Sequence, residues 1–330
     1  MDMQAFDLVR QLAASHYLVR SLHTVNELGV ADHLDDTART PTDIARDVSA
    51  DPDALARVLR LLSSRGIFHL EDGLVTHTEA SRLLATTHPA SFKPFVSMFG
   101  QPIQWQMADN LLHAVRSGEA VAERAHPGGL WSYFQAFPEH GRVFDAAMAA
   151  KAGAQVAAIV GVYDFARFGT VVDVGGGGGH LLRAILARNP GMSGVLFDLP
   201  AVVEAAGSAG SNERLQFTPG DFFETPIPGG DAVILMEVLH DWDDASCHRI
   251  LRAVRQALTP GARLLVIETE VPEGNTPDWS KLLDIVMLAA FAARQRTAAE
   301  YEALLAADGF RMLERTETPG GITVFEAEAV

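Results

Sequence analysis

The stretch Val171 to His180, "VVDVGGGGGH", decides how the rest of the chain is read. Four residues of strand character, three of them valine, run directly into five consecutive glycines. A glycine turn after a buried strand lets a ligand come close to the backbone. A dinucleotide fingerprint needs Gly or Ala at the sixth position of G-x-G-x-x-G/A. Counted from Gly175 that position is His180, and from Gly176 or Gly177 it is Leu181 or Leu182. A phosphate-binding P-loop needs a Lys that the run lacks. The glycines are instead accompanied by two acids: Asp173 in the strand, and Asp198 at the end of the next one, in "VLFDLP". An acid at that second place can accept hydrogen bonds from ribose hydroxyls. Taken alone, Asp198 reads equally well as a helix cap before Leu199-Pro200. A glycine turn with no cationic anchor suits a nucleoside bearing an amino acid better than a pyrophosphate.

Working outward, strand and helix patterns alternate from about residue 165. Strands are expected at 170–174, 194–198, 214–218, 231–237, 263–269, 310–316 and 321–327, with helices that include 243–258 and 297–308. This alternation implies an α/β fold, a doubly wound parallel sheet closed by a C-terminal hairpin, with ligands at the carboxyl ends of the strands. The first hundred residues read as mostly helical. Thr40 and Asp51 cap helices that begin with Pro41 and Pro52. Leu55, Val58, Leu59 and Leu62 share one face of the second, and Gly66 stops it. Asp72-Gly73 then joins two short strands. Helix, turn, helix and wing describe a winged-helix unit. The expected domains are therefore 1–100, a winged-helix-like unit, and 101–330, a helical connector leading into the sheet domain.

The formal charge of −16 opposes binding to nucleic acid or to anionic membranes. Residues 1–100 carry 9 Lys and Arg against 13 Asp and Glu, so Arg57, Arg60 and Arg65 read as a solvated face rather than a DNA-reading one. No run of 18 apolar residues occurs; "VMLAAFAA" (Val286 to Ala293) is the nearest candidate and is too short to span a bilayer. The N-terminus lacks signal-peptide character, and the expected location is the cytoplasm. Cys247 is the single cysteine, which excludes an internal disulfide. "HDWDD" (His240 to Asp244), with His248, could be a metal cluster, but Asp243 or Asp244 reads better as a helix cap, and no metal is expected.

Six blocks, "VVDVGGGGGHLL", "LFDLP", "GDFFE", "LHDWDD", "LVIETEV" and "RTAAEYEALLAADGF", occur in a recognisable order. In order and spacing the chain resembles the S-adenosylmethionine-dependent O-methyltransferases of the plant caffeic-acid and bacterial small-molecule type. The resemblance covers nearly the whole chain and implies a Rossmann-like methyltransferase sheet with an N-terminal dimerisation domain, hence a homodimer. It also implies S-adenosylmethionine as cofactor and S-adenosylhomocysteine as product. Gly175, Gly176 and Gly177, above Asp173, would approach the methionine part. Asp198, with Leu199 beside it, would hold the ribose. Asp221 and Phe222 would flank the adenine, with Trp242 as a stacking partner. The plant enzymes carry a lysine where this chain has Glu237, and that leaves the role of Glu237 open.

Methyl transfer from a sulfonium needs an aligned acceptor oxygen that loses its proton. By resemblance, His240 is the general base and Glu268 its orienting acid. A second glutamate of the family, on the other side of the histidine, is replaced here by Gln295 in "AARQRT". A phenol near pKa 10 lies about 3.5 units above an ordinary histidine, roughly 5 kcal/mol, and an aliphatic alcohol lies much further away. A small aromatic substrate with a phenolic or enolic hydroxyl, from secondary metabolism, is therefore expected. Phe144 and Met148 match family pocket positions in "RVFDAAM". Asp241, Met287, Phe291, Trp105 and Trp131 are placed at the substrate by proximity and periodicity. The main alternative keeps the cofactor but performs a non-methylating reaction, a hydroxylation or rearrangement of a polyketide, and rests on Gln295 alone. A transcription factor using the cofactor as a sensor is a further alternative, opposed by the acidic charge.

Overall fold

Apolar runs buried on both faces make the central strands of a parallel sheet, and the runs of the C-terminal half do this. The computed structural model describes residues 3–208, 210 and 213–330. It divides into two compact units, residues 1–106 with 131–151, and residues 107–130 with 152–330. The sequence places one boundary near residue 100, whereas the units interleave, because residues 131–151 pack with the N-terminal part.

In the first unit, Thr40 accepts a hydrogen bond from Asp43 N (3.1 Å) and Asp51 from Ala54 N (2.9 Å). These caps start the helices Pro41–Asp47 and Pro52–Ser63. Leu55, Leu59 and Leu62 are buried, with Val58 packed beside them. The strands Phe68–Glu71 (β1) and Leu74–His77 (β2) pair antiparallel across a turn in which Asp72 and Gly73 both have positive φ, as a tight hairpin requires.

The second unit holds a sheet of seven strands among the described residues. They are Thr170–Val174 (β3), Ser193–Asp198 (β4), Leu215–Pro219 (β5), Ala232–Met236 (β6), Arg263–Glu268 (β7), Phe310–Glu317 (β8) and Thr323–Ala329 (β9). Their order is β5-β4-β3-β6-β7-β9-β8. The first five run parallel; β9 pairs antiparallel with β7 and closes the hairpin with β8. The direction of strand addition reverses between β3 and β6, so the carboxyl ends of these two strands form the crevice where such sheets bind ligands. One apolar layer includes Val233, Leu235, Leu251, Val254 and Phe325, and the other Ile185, Leu196, Ile234 and Ile267.

One sequence expectation is corrected by a helix. Pro138–Val162 has 25 residues and, by length and composition, could cross a bilayer, which "VMLAAFAA" could not. The apolar character is spread over many Ala and Gly residues, so it does not stand out as a run. Its Val156 and Ile159 lie in the core of the second unit, and Gln155 donates to Glu237. These contacts belong to the part of the helix in the second unit, from residue 152 onward; residues 138–151 fall in the first. Truncating Leu251, fully buried in the larger core, should cost about 2–5 kcal/mol. Urea unfolding of Leu251→Ala followed by circular dichroism checks this.

Candidate active site

Five strand ends, those of β3 to β7, build the candidate site. β3 ends at Val174, and the chain turns through Gly175 at φ +70°, where a Cβ would also lie 2.9 Å from Val238 Cγ2. At Gly176 a Cβ would meet Asp173 Oδ2 and Leu196 Cδ1 at 2.5 Å. The inner side of the loop therefore rests on β3 and β4 with no room for a side chain. The outer side is open: a Cβ on Gly177 would find no protein atom within 4 Å. Asp198, ending β4, accepts from Gly177 N (2.9 Å) with one oxygen and from Leu199 N (2.7 Å) with the other. Asp198 thereby holds the glycine loop, a contact that the sequence did not indicate. Each oxygen keeps lone-pair capacity for a hydroxyl.

Asp173 lies beneath the loop, 1% exposed, and its Oδ1 has no hydrogen-bond partner among the described residues. Burial, and then the charge of Asp198, pushes its carboxyl up to about 7. Past β5, Asp221 accepts from Phe223 N (2.8 Å) and shapes the turn that presents Phe222. The Trp242 ring stands edge-on to Phe223 (4.8 Å) and Phe222 (5.9 Å). Glu268 thus has company at this edge: Asp198, Asp221, Phe222 and Trp242 all stand just beyond strand ends of one sheet.

Past β6 comes a strained residue. Glu237 has φ +52°, uncommon for a residue with a side chain, while its N donates to Ile267 O (2.9 Å). Its carboxylate accepts from Gln155 Nε2 (3.1 Å). The chain then forms a single 3₁₀ turn, Leu239–Asp241, that carries His240. His240 is 6% exposed. Its Nδ1 lies 3.1 Å from Glu268 Oε2, and Glu268 itself is fully buried at the end of β7. Glu268 Oε1 also accepts from Leu239 N (2.9 Å) and His240 N (3.3 Å). Burial alone would lower the imidazole's pKa. The charge and hydrogen bond of Glu268 outweigh it, with help from the charges of Asp241 and Glu237, and push it up to about 9.

Gln295 stands 3.1 Å from the same Nδ1, through Nε2. The resemblance puts this position on the far side of the ring from Glu268. Here both side chains converge on Nδ1, and Nε2 faces Asp241 Oδ1 at 3.4 Å. Gln295 is placed by Asp284, whose Oδ1 accepts from its backbone N (2.8 Å). Met287 and Phe291 lie on the helix Trp279–Phe291, where Met287 packs with Leu283 and Ala293.

The remaining acids of "HDWDD" have other engagements. Asp243 caps the helix Asp244–Ala257 through Ser246 N (2.7 Å), Asp244 pairs with Arg296 (2.7 Å), and His248 pairs with Asp308 (2.5 Å). Among the described residues no group of three His, Cys, Asp or Glu is placed to hold a metal ion. Phe144, Met148, Trp105 and Trp131 belong to the first unit. There Trp131 and Phe134 both pack against Phe144, at 5.6 and 4.8 Å, while Trp105 stands against His23 and under Arg20. Sequence reading missed Gln155, Asp284 and Arg296. Only Arg296, adjacent to Gln295 in "RQRT", carried a local signal.

The chain matches the O-methyltransferase domain over residues 107–311 and the O-methyltransferase dimerisation domain over residues 10–87. It is 36% identical over 328 residues to the phenazine O-methyltransferase PhzM of Lysobacter antibioticus, covering 98% of this chain and 96% of that protein. It is 33% identical to the mitomycin biosynthesis 6-O-methyltransferase of Streptomyces lavendulae, covering 93% and 90%. The solved structure of CalO1, a methyltransferase in calicheamicin biosynthesis with S-adenosylhomocysteine bound, superposes with a TM-score of 0.93 at 31% identity, covering 100% and 99% of the two chains. The residues here fit S-adenosylmethionine: a glycine loop open on its outer side, a strand-end acid with lone pairs left for hydroxyls, and a buried carboxyl oxygen below with no partner among the described residues. Asp198→Asn leaves one of two backbone N–H groups without its acceptor, at about 1.5–3 kcal/mol. Calorimetric titration with S-adenosylmethionine should show affinity weakened roughly 10- to 100-fold; unchanged affinity would remove Asp198 from the cofactor site.

Proposed function

This chain belongs to the S-adenosylmethionine-dependent O-methyltransferase family, and from that premise we propose that His240 is the base that takes the acceptor's proton. The enzyme methylates an oxygen of an aromatic secondary metabolite. When bound, S-adenosylmethionine supplies an electrophilic methyl group on a sulfonium. The chain's own part is to hold the acceptor oxygen and manage its proton. One observation carries the reading: an almost fully buried imidazole held at Nδ1 by a fully buried carboxylate, at the sheet edge that also bears the glycine loop.

A carboxylate can only accept, so the contact with Glu268 puts the hydrogen of the neutral ring on Nδ1. Nε2 is then the basic nitrogen. Gln295 complements an Nδ1–H only with its amide oxygen toward the ring, the oxygen that otherwise stays buried without a partner. In that orientation Gln295 supports the tautomer without adding charge. Asp241, near Nε2, meets the imidazolium that forms when the proton arrives.

The raised pKa changes the energetics. A phenol near pKa 10 now lies about one unit above the base, roughly 1.4 kcal/mol rather than 5. The cost reappears at neutral pH, where the imidazole must first lose a proton, about two units or 2.7 kcal/mol at pH 7. A neutral histidine with a phenol and an imidazolium with a phenolate hold the same number of protons. Acidic phenols and enols are favoured by both routes, and the aromatic products named for the relatives support that substrate class. We assign substrate contact to Met287 and Phe291, on the helix Trp279–Phe291. The proposed assembly is a homodimer through the dimerisation domain. The helix Met3–Ala13, which runs into that domain, buries none of its residues and exposes Met3, Phe6, Leu8, Val9 and Leu12, apolar surface that a second copy would cover. The same reading places the enzyme in the cytoplasm.

Two measurements test the base. His240→Ala should lower kcat by about 10²- to 10⁴-fold with cofactor affinity close to that of the wild type. A joint loss of binding would mean that His240 shapes the cofactor site instead. For the intact enzyme, log kcat/KM with a phenolic acceptor should climb with pH and level off near 9 as the imidazole loses its proton. Glu268→Gln removes the main raising influence, so the break should move to lower pH. A profile flat from pH 6 to 9 refutes the role. The sign also fixes a stability window: the stabilisation from this imidazolium is complete below about pH 6.5 and is lost as pH rises through about 9.

A further inference from the structure

Arg296 is 1% exposed, among the largest fully buried side chains of the described residues. Its guanidinium donates from Nη1 to Leu239 O (2.8 Å) and from Nη2 to Trp242 O (3.0 Å). Nη2 and Nε also donate to Asp244 Oδ1, at 2.7 and 3.2 Å. Leu239 and Trp242 bracket His240: their carbonyls are the two ends of the short turn that carries it. The other face of the turn is held by Glu268, which accepts from the N–H groups of Leu239 and His240. A 3₁₀ turn of three residues has little internal hydrogen bonding of its own, so its geometry is set by what grips it.

We propose that Arg296 is a positioning residue for His240: its guanidinium grips the carbonyls of Leu239 and Trp242 and thereby sets the direction of the imidazole. The proposal rests on His240 being the base. Three features support it beyond simple burial. The arginine follows Gln295 directly, so one dipeptide touches both the ring, at Nδ1, and the backbone that bears it. That dipeptide is itself tied down: Gln295 N donates to Asp284, and Arg296 O accepts from Val271 N (3.0 Å), just past β7. Two carbonyls and a carboxylate are reached by a planar fork, which the compact ammonium of lysine does not reproduce. Cys247 Sγ lies 3.2 Å from Leu239 O but is a weak donor and cannot replace the grip.

Arg296 also borders a cavity of about 280 Å³, lined as well by Asp244, His248, Arg294 and Glu300, which gives a small cation a route to its place. The test compares Arg296→Lys and Arg296→Ala with the wild type and with His240→Ala, using a phenolic acceptor. Folding is followed by circular dichroism and cofactor affinity by calorimetry. Misplacement of the base by an ångström costs on the order of 100-fold. Arg296→Lys, folded, should therefore lose roughly 10- to 100-fold in kcat with cofactor affinity within about threefold of the wild type. Guanidinium at millimolar concentration should restore part of the kcat of Arg296→Ala and none of that of His240→Ala. A wild-type kcat in Arg296→Lys, or a fall in cofactor affinity matching the fall in kcat, overturns the proposal. If His240→Ala keeps full turnover, the base reading fails; if it is inactive while Arg296→Lys turns over normally, only the positioning role fails.

Discussion

The buried carboxylate of Glu268 is the group on which the histidine turn depends. It sits at the end of β7 with no exposure to solvent; its Oε1 accepts from the N–H groups of Leu239 and His240, and its Oε2 lies 3.1 Å from the imidazole Nδ1. A buried carboxylate is tolerable only when such partners replace its water. The strand and the histidine turn are therefore bound to each other by necessity as well as by function. The same charge holds the imidazole proton more tightly than in an ordinary histidine.

A second acid organises the cofactor side in a parallel way. Asp198 holds Gly177 and Leu199 by their backbone N–H groups, and burial, reinforced by its charge, keeps the nearby Asp173 reluctant to ionise. The glycines are required on the inner side by close packing against Asp173, Leu196 and Val238, and on the outer side they leave the backbone accessible. Both halves of the site thus use one device: a carboxylate at a parallel-strand end that pins a loop by its amides. The device belongs to the topology, since β3, β4, β6 and β7 all end on one edge.

Much of this was legible in the residue order. Strand positions, the closing hairpin, the caps at Thr40, Asp51 and Asp243 and the turn at Asp72-Gly73 follow from local rules, because each is a matter of near neighbours. Helix Pro138–Val162 escaped as a long apolar element because its hydropathy comes from Ala and Gly rather than from an aliphatic run. The convergence of Gln295 and Glu268 on one nitrogen was not readable either. It depends on how the segment after the helix Trp279–Phe291 folds back, where Asp284 of that helix accepts from Gln295 N.

The sequence by itself determined the class of fold, the cofactor and the residue types at the centre, since glycines after a strand, a strand-end acid and a strand-end histidine carry their chemistry in their order. Tertiary structure alone decided which nitrogen of His240 lies against Glu268 and Gln295, and it brought Arg296 to the histidine turn and Gln155 to Glu237. Those outcomes come from contacts 55, 57 and 82 residues apart along the chain, between His240 and Gln295, Leu239 and Arg296, and Gln155 and Glu237. Pairings at that separation arise only when packing of the sheet brings the segments together, and no local propensity encodes them.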